Sequence, residues 1–248
     1  MTDRLAVISD VHGNLTALRA VLDDVAARGV TRVVSLGDTV GKGPRGSACV
    51  ALTRASCEAA VHGNWEAFLL MLEQEPTGEA RWWLDELTED DRAWSRALPF
   101  HHDLRLSGRL VRLVHANTDD VFHRLHGDHT WDDFRAAFVP AGATAGLEPP
   151  DVVGYGDIHG TYLQSDENRT LFNVGSVGNP LDGQTASYAL LEGVPGSTSW
   201  SDPFSVAFCR VEYDVEAELA VAAASGMPQQ AQWATELRTG VYRGAHEG

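Results

Sequence analysis

Five short apolar runs each stop at residues able to bind a metal ion, and this feature limits the fold more than any other. LAVIS (5–9) runs into Asp10 and His12, and RVVSL (32–36) into Gly37 and Asp38. EAAV (58–61) leads to His62, Gly63 and Asn64. RLVRLV (109–114) stops at His115, and DVVGYG (151–156) at Asp157 and His159. Helical patterns separate the first runs. Leu15, Leu18, Leu22 and Val25 recur at helical spacing behind Asn14, a suitable N-cap, and Arg28-Gly29 ends the pattern. Residues 46–56 repeat the theme. Such βαβαβ alternation predicts a mainly parallel sheet. In open α/β sheets the carboxyl ends of the strands meet along one rim, where ligands bind.

The rest of the chain fits the same unit. Residues 65–98, rich in Trp, Leu and acids, read as a small helical cap insertion. Ser107-Gly108 is expected to join 102–107 and 109–114 as a hairpin. Residues 131–138 suggest a short helix. The runs 170–174, 186–191 and 204–213 read as a second, antiparallel set of strands. Two C-terminal helices, 214–225 and 228–239 within 214–243, are separated by Gly226 and Pro228. No linker or repeat divides the chain, so 1–248 is expected to be a single domain. At 248 residues and 44% hydrophobic it can build a sizeable core, and its 22% charged residues exclude intrinsic disorder.

Charge restricts the partners. A formal net charge of −16 repels nucleic-acid polymers and anionic membranes, so neither is an expected partner. A small phosphorylated substrate stays compatible where bound metals invert the local field. The basic residues are Arg apart from one lysine, Lys42. Cys49, Cys57 and Cys209 are too few for a disulfide scaffold and read as buried thiols. The start of the chain lacks a signal-peptide pattern, and no apolar run nears the ~20 residues of a membrane span. A cytoplasmic location is therefore expected.

Seven oxygen and nitrogen donors should converge at the sheet rim: Asp10, His12, Asp38, Asn64, His115, Asp157 and His159. That is what a pair of divalent cations needs. Mixed carboxylate and imidazole donors suit manganese, iron, zinc or nickel, whereas an all-oxygen set suits magnesium or calcium. A shared carboxylate can bridge two ions roughly 3.5–4 Å apart, a spacing that clamps a phosphoryl group.

In the motifs Asp10-x-His12, Gly37-Asp38, Gly63-Asn64, His115 and Gly156-Asp157-Ile158-His159, taken in order, the chain resembles the calcineurin-like metallophosphoesterase superfamily. The likeness is to its small single-domain prokaryotic branch. Asn173-Val174-Gly175-Ser176 resembles the turn that follows in that branch. The resemblance implies a four-layer α/β/β/α sandwich of two mixed β-sheets flanked by helices. It implies that Asp10, His12 and His159 hold the first metal, that Asp38 bridges, and that Asn64 and His115 hold the second. It also implies direct attack on phosphorus by a metal-bridging hydroxide, with Asp38, Asn64 and His115 as the catalytic set.

Two positions depart from the family pattern. Asp157 stands where the usual Gly-His-x-His has its first His; as a ligand it hardens the second site and favours manganese or iron over zinc or nickel. The bland alternative is a turn residue. Trp65 stands where the usual Gly-Asn-His-Asp/Glu has the His credited with proton donation, and Glu66 follows. The expected function is a dinuclear metal-dependent phosphohydrolase cleaving a small phosphodiester or phosphoanhydride of nucleotide type. The alternatives are a protein Ser/Thr phosphatase of the same superfamily and a non-catalytic scaffold. His62, His101, His102, His123, His126 and His129 read as surface histidines, with a metal or substrate-clamp role for the 123–129 run as the alternative. The cap tryptophans read as core, with nucleobase stacking as the alternative. Lys42 and Arg45 read as solvated loop charge, with a phosphate contact as the alternative.

Overall fold

Alternate burial along the first strand sets the layering. Leu5 and Val7 face one way and Ala6 and Ile8 the other, and all four are buried, so packing material must lie on both faces. The computed structural model describes residues 2–74 and 77–243. In chain order the strands are β1 (Asp3–Ile8), β2 (Arg32–Ser35), β3 (Ala59–Ala60), β4 (His101–Leu106), β5 (Arg109–Val114), β6 (Val152–Tyr155), β7 (Thr161–Asp166), β8 (Arg169–Val174), β9 (Ala186–Gly193) and β10 (Ser205–Val211). The helices are α1 (Leu15–Ala27), α2 (Gly46–Ser56), α3 (Asn64–Met71), α4 (Arg81–Glu86), α5 (Glu89–Ala97), α6 (Trp131–Ala136), α7 (Val215–Ser225) and α8 (Gln230–Thr239).

Two five-stranded sheets result, ordered β10-β9-β1-β2-β3 and β4-β5-β6-β8-β7. Between them lies one apolar layer, with Leu5, Val7 and Val34 from the first sheet against Val111, Leu113 and Phe172 from the second. The outer face of the first sheet packs Ile8 and Val33 on Leu18, Val21 and Val25 of α1 and on Cys49 of α2. The outer face of the second packs Val153, Tyr155 and Leu171 on Phe134 of α6 and on Phe138. This is the α/β/β/α sandwich. Both sheets are mixed: β1-β2-β3 and β5-β6-β8 are parallel, and the edges are antiparallel.

The structure corrects one expectation. Residues 170–174, 186–191 and 204–213 do not form one antiparallel set. The first falls in β8, parallel to β6 in the second sheet, while β9 and β10 extend the first sheet beside β1. Apolar period gives strand existence and not sheet membership. β7 was not expected at all, because TYLQSD is a half-exposed edge strand without an apolar face. The hairpin forms at Ser107 and Gly108, both in the left-handed region, as a two-residue turn between right-twisted strands requires. Among the described residues all three cysteines are free thiols, and Cys49 and Cys209 are buried.

The cap helices α3, α4 and α5 share a core with the C-terminal pair. Leu69, Trp83, Leu84 and Leu87 pack with Leu219, Trp233 and Leu237. Glu86 at the end of α4 meets the start of α2, accepting the Ser47 backbone N–H at 2.9 Å. Burial pushes its carboxyl up to about 7, with Asp91 adding to the effect and the Ser47 and Gly46 N–H groups opposing it. The folded protein therefore keeps this proton at a higher pH than the unfolded chain. Its contribution to stability is full below about pH 4.5 and is lost as pH rises through about 7. Glu86→Gln keeps an acceptor without the charge. The expected result is a melting temperature above that of the parent by about 2–4 °C at pH 8, the shift of roughly 1 kcal/mol in a chain of this size, and no gain at pH 5. Melting curves of both proteins at the two values check it; an equal gain at both would assign the effect to packing.

Candidate metal centre

The expected donor residues sit where strands stop and the backbone reverses. Asp10, His12, Asp38, Asp157 and His159 have φ of 54°, 49°, 51°, 64° and 60°, in the left-handed region. Asp and His tolerate it better than most residues, yet each such residue costs about 1–3 kcal/mol. Cross-links between the loops hold the strain: Asp10 N–H donates to Gly37 O at 3.0 Å, His12 N–H to Asp38 O at 2.8 Å, and Gly156 N–H to His115 O at 2.8 Å. Two glycines permit the close approach. A Cβ on Gly63 would lie 2.2 Å from the Asp38 nitrogen, and one on Gly156 would lie 2.4 Å from Asp10 Oδ2.

These loops bring six of the seven expected donors into two touching groups and a flank. Asp10, His12 and His159 form one group; Asp10, Asp38 and His115 form the other. Asp38 is split between them: Oδ2 lies 3.6 Å from His12 Nε2, and Oδ1 lies 3.5 Å from His115 Nε2. Asp157 flanks the second group, with Oδ1 3.9 Å from His115 Nε2. The seventh donor, Asn64, donates from Nδ2 to that same Asp157 oxygen at 2.6 Å.

Each imidazole is held in one tautomer. Nδ1 of His12 meets Val40 O at 3.2 Å, Nδ1 of His115 meets Leu36 O at 2.9 Å, and Nδ1 of His159 meets Asn179 O at 2.6 Å. A carbonyl can only accept, so Nδ1 carries a proton, and in the neutral imidazole that metal binding requires Nε2 presents the lone pair. The Nε2 atoms of His12 and His159 face each other at 3.1 Å, too close for two lone pairs with neither a proton nor a metal ion between them. Asp10 Oδ1 and His115 Nε2 are buried and have no hydrogen-bond partner. Orphaned donors of this kind call for a cation between them.

The electrostatics agree. Burial opposes ionisation of Asp10, but His159 and His12 outweigh it and hold its carboxyl well below the usual range. Burial pushes Asp38 well above that range, with Glu66 and Asp10 adding to the effect and His115 opposing it. Burial also opposes charge on His115, yet Asp38, Asp10 and Asp157 carry its imidazole up to about 9. Buried acids packed this closely demand positive charge, which protons or metal ions can supply.

Four residues absent from the expected set shape the site. Glu66, buried on α3, accepts the N–H groups of Asp38 at 2.9 Å, Thr39 at 2.8 Å and Gly63 at 3.0 Å. Arg124 grips Asp157 with two bonds, Nε to Oδ2 at 2.9 Å and Nη2 to Oδ1 at 3.0 Å. Asn179 supports His159 through its carbonyl, and Arg243 follows α8. Glu66 had a signal, since it follows Trp65 in a quoted motif. Arg124 had no such signal: it stands in a polar loop inside the His123–His129 run, with no local pattern to mark it.

A cavity of about 410 Å³ opens over the donors, lined by Asp38, Asn64, Asp157 and His159 and walled by Trp65, Phe68 and Trp83. The Trp65 ring meets His12 edge-on at 6.0 Å and Trp83 at 5.7 Å, so it is cavity wall as well as cap core. Lys42 is not solvated loop charge: its Nζ donates to Asn179 Oδ1 at 3.0 Å and it lines the cavity. Arg45 is an ion-pair partner of buried Glu218 on α7. His123 is exposed and pairs with Asp119 at 2.9 Å, and His129 stacks on Phe134. None of the six extra histidines belongs to the two donor groups.

A family model for the calcineurin-like phosphoesterase superfamily domain matches residues 4–194. An uncharacterized protein of Methanocaldococcus jannaschii is 28% identical over 236 residues, covering 86% of this chain and 88% of that protein. A metallophosphoesterase from Sphaerobacter thermophilus has a similar crystal structure, with a TM-score of 0.75 and 26% identity over 96% of this chain and 99% of that one. A hypothetical protein from Pyrococcus horikoshii OT3 gives the same TM-score at 16% identity over the same shares, a likeness of fold.

Proposed function

The chain belongs to the calcineurin-like phosphoesterase superfamily, and on that premise we propose that it is a dinuclear metal-dependent phosphohydrolase of small phosphodiesters or phosphoanhydrides of nucleotide type. The observation that carries this reading is a pair of donor groups that meet at Asp10, with the Asp38 carboxylate lying across them, Oδ2 toward His12 and Oδ1 toward His115. Asp10, His12, His159 and Asp38 would hold one ion; Asp38, Asn64, His115 and Asp157 would hold the other. Divalent cations there supply Lewis acidity and activate water for attack at phosphorus. Manganese or iron suits a carboxylate-rich set best. The orphaned Asp10 Oδ1 and His115 Nε2 speak for metal binding and against a scaffold that has lost it.

The chain's own residues bind, orient and shield. Arg124 is half-exposed at the cavity and held by Asp157, so its remaining N–H groups are placed for a phosphoryl oxygen. Trp65, Phe68 and Trp83 offer apolar surface to the organic part of the substrate. A small phosphorylated substrate suits a 410 Å³ recess, and nucleic-acid polymers and membrane surfaces do not suit a chain of net charge −16. No helix among the described residues is long and apolar enough to cross a membrane.

Trp65 also bears on substrate choice. A positioned acid contributes typically ~10²–10⁴-fold when the leaving group is basic. Indole has no proton to give at neutral pH, so phosphoserine peptides should be poor substrates and anhydrides and activated diesters good ones. The test is a series of aryl to alkyl phosphodiesters, with log rate plotted against leaving-group pKa. A steep negative slope is expected. A flat slope would show that another group donates the proton, and the step from Trp65 to substrate class would fail.

A further inference from the structure

The cavity wall is more basic than a chain of net charge −16 leads one to expect. Lys42, Arg124 and Arg243 all line it, and Lys42 is the chain's only lysine. Long basic side chains normally stay in water, and fixing one beside a cavity loses hydration and rotamer freedom. Here all three are fixed. Lys42 is bound to Asn179 Oδ1, and Asn179 Nδ2 in turn donates to Glu236 Oε2 at 3.2 Å. Arg243 clasps Glu236 with Nε to Oε1 and Nη2 to Oε2, both at 2.8 Å, and its Nη1 donates to Gln229. Arg124 is clasped by Asp157.

Two of these anchors come from the C-terminal hairpin. Glu236 lies on α8, is fully buried in the cap core beside Trp233 and Leu237, and carries both Asn179 and Arg243. Gln229, Tyr242 and Arg243 line the cavity, and all lie beyond residue 194, where the family match stops. The donor groups for metal are complete without this segment. What the segment adds is a second cationic wall.

We propose that Lys42, Arg124 and Arg243 form an anion subsite beside the metal donors, which holds the non-reacting phosphates of a phosphoanhydride chain. This rests on the phosphohydrolase reading and narrows it, from diesters and anhydrides together to substrates with consecutive phosphates. Each cation keeps donors free: Lys has three N–H groups and uses one, and Arg has five. Guanidinium groups braced by carboxylates are pre-organised for bidentate phosphate contacts. A chain of consecutive phosphates brings more negative charge and more acceptor oxygens than a single phosphate, and so engages more of these fixed cations.

The probes are inorganic triphosphate and inorganic phosphate, titrated calorimetrically into the manganese-loaded protein with manganese in large excess, so that chelation does not strip the site. The readout is the ratio of the two affinities in the parent and in Arg124→Gln, Arg243→Gln and Lys42→Gln. The expected parent prefers triphosphate by at least tenfold, and each variant lowers that preference at least fivefold. Arg243→Gln leaves the buried Glu236 short of a partner and can fail to fold; Arg124→Gln removes a half-exposed side chain and carries the test in that case. A parent with no preference, or a preference unchanged in folded variants, overturns the subsite. Hydrolysis of bis-p-nitrophenyl phosphate, which has one phosphate, reports separately on the phosphohydrolase reading. A protein that cleaves it but shows no triphosphate preference keeps the function and loses the subsite.

Discussion

Asp38→Asn should lower turnover of bis-p-nitrophenyl phosphate by more than about a hundredfold while the far-ultraviolet circular dichroism stays that of the parent. Loss of a group that merely orients a metal ligand already costs about 10–100-fold in activity or metal affinity, and in the proposed centre Asp38 is itself a ligand, with its two oxygens toward His12 and His115. The amide leaves one acceptor where two oxygens stood and removes the charge. The fold should survive, because Asp38 sits on the rim and its backbone is held by Glu66 and His12. The metal-free variant should even melt at or above the parent, since a buried carboxyl that resists ionisation has been replaced by a neutral group. Steady-state kinetics at saturating manganese decide it. Parent-like turnover in a folded variant would remove Asp38 from the catalytic set and overturn the dinuclear reading, whereas a metal-loaded parent without turnover would favour the scaffold.

Glu66→Gln should act from one layer further out, and on stability as well as metal binding. The carboxylate accepts three backbone N–H groups at 2.8–3.0 Å while only 1% exposed. Glutamine has one acceptor oxygen, and its NH₂ would face donors. Each buried donor left without a partner costs about 1–3 kcal/mol, so a loss of about 2–4 kcal/mol in urea unfolding of the metal-free protein is expected. Because those N–H groups hold the Asp38 turn, manganese affinity should fall about 10–100-fold as well. A variant equal to the parent in both measurements would mean that the loop cross-links alone hold the Asp38 turn.

The strand-end donors were legible in the sequence because one physical rule covers them. An apolar run must stop somewhere, and polar residues at each stop, on parallel strands, share a rim. Asp10, His12, Asp38, His115 and His159 followed that rule into two contiguous groups. Their left-handed backbone was not legible, because tolerance of φ > 0 is weak in any single Asp or His and is set here by cross-links from other loops. Glu66, Arg124 and Glu236 act on Asp38, Asp157 and Asn179 from 28, 33 and 57 residues away, and no local period records that. β7 escaped for a different reason: an edge strand half in water carries no hydrophobic alternation. Lys42 reads as ordinary loop charge because its partner Asn179, itself held by Glu236 of α8, lies 137 residues further along the chain.

Metal content of the protein as purified tests the central claim most directly. The chain is expressed in manganese-supplemented medium, purified without chelator and assayed by inductively coupled plasma mass spectrometry against protein concentration. Two divalent ions per chain are expected for the parent, and one or fewer for Asp38→Asn, because the amide keeps one oxygen of the two that face His12 and His115 and loses the charge. A parent that carries no more than a trace of metal, and binds none on titration with manganese, iron, zinc or nickel, would contradict the dinuclear centre.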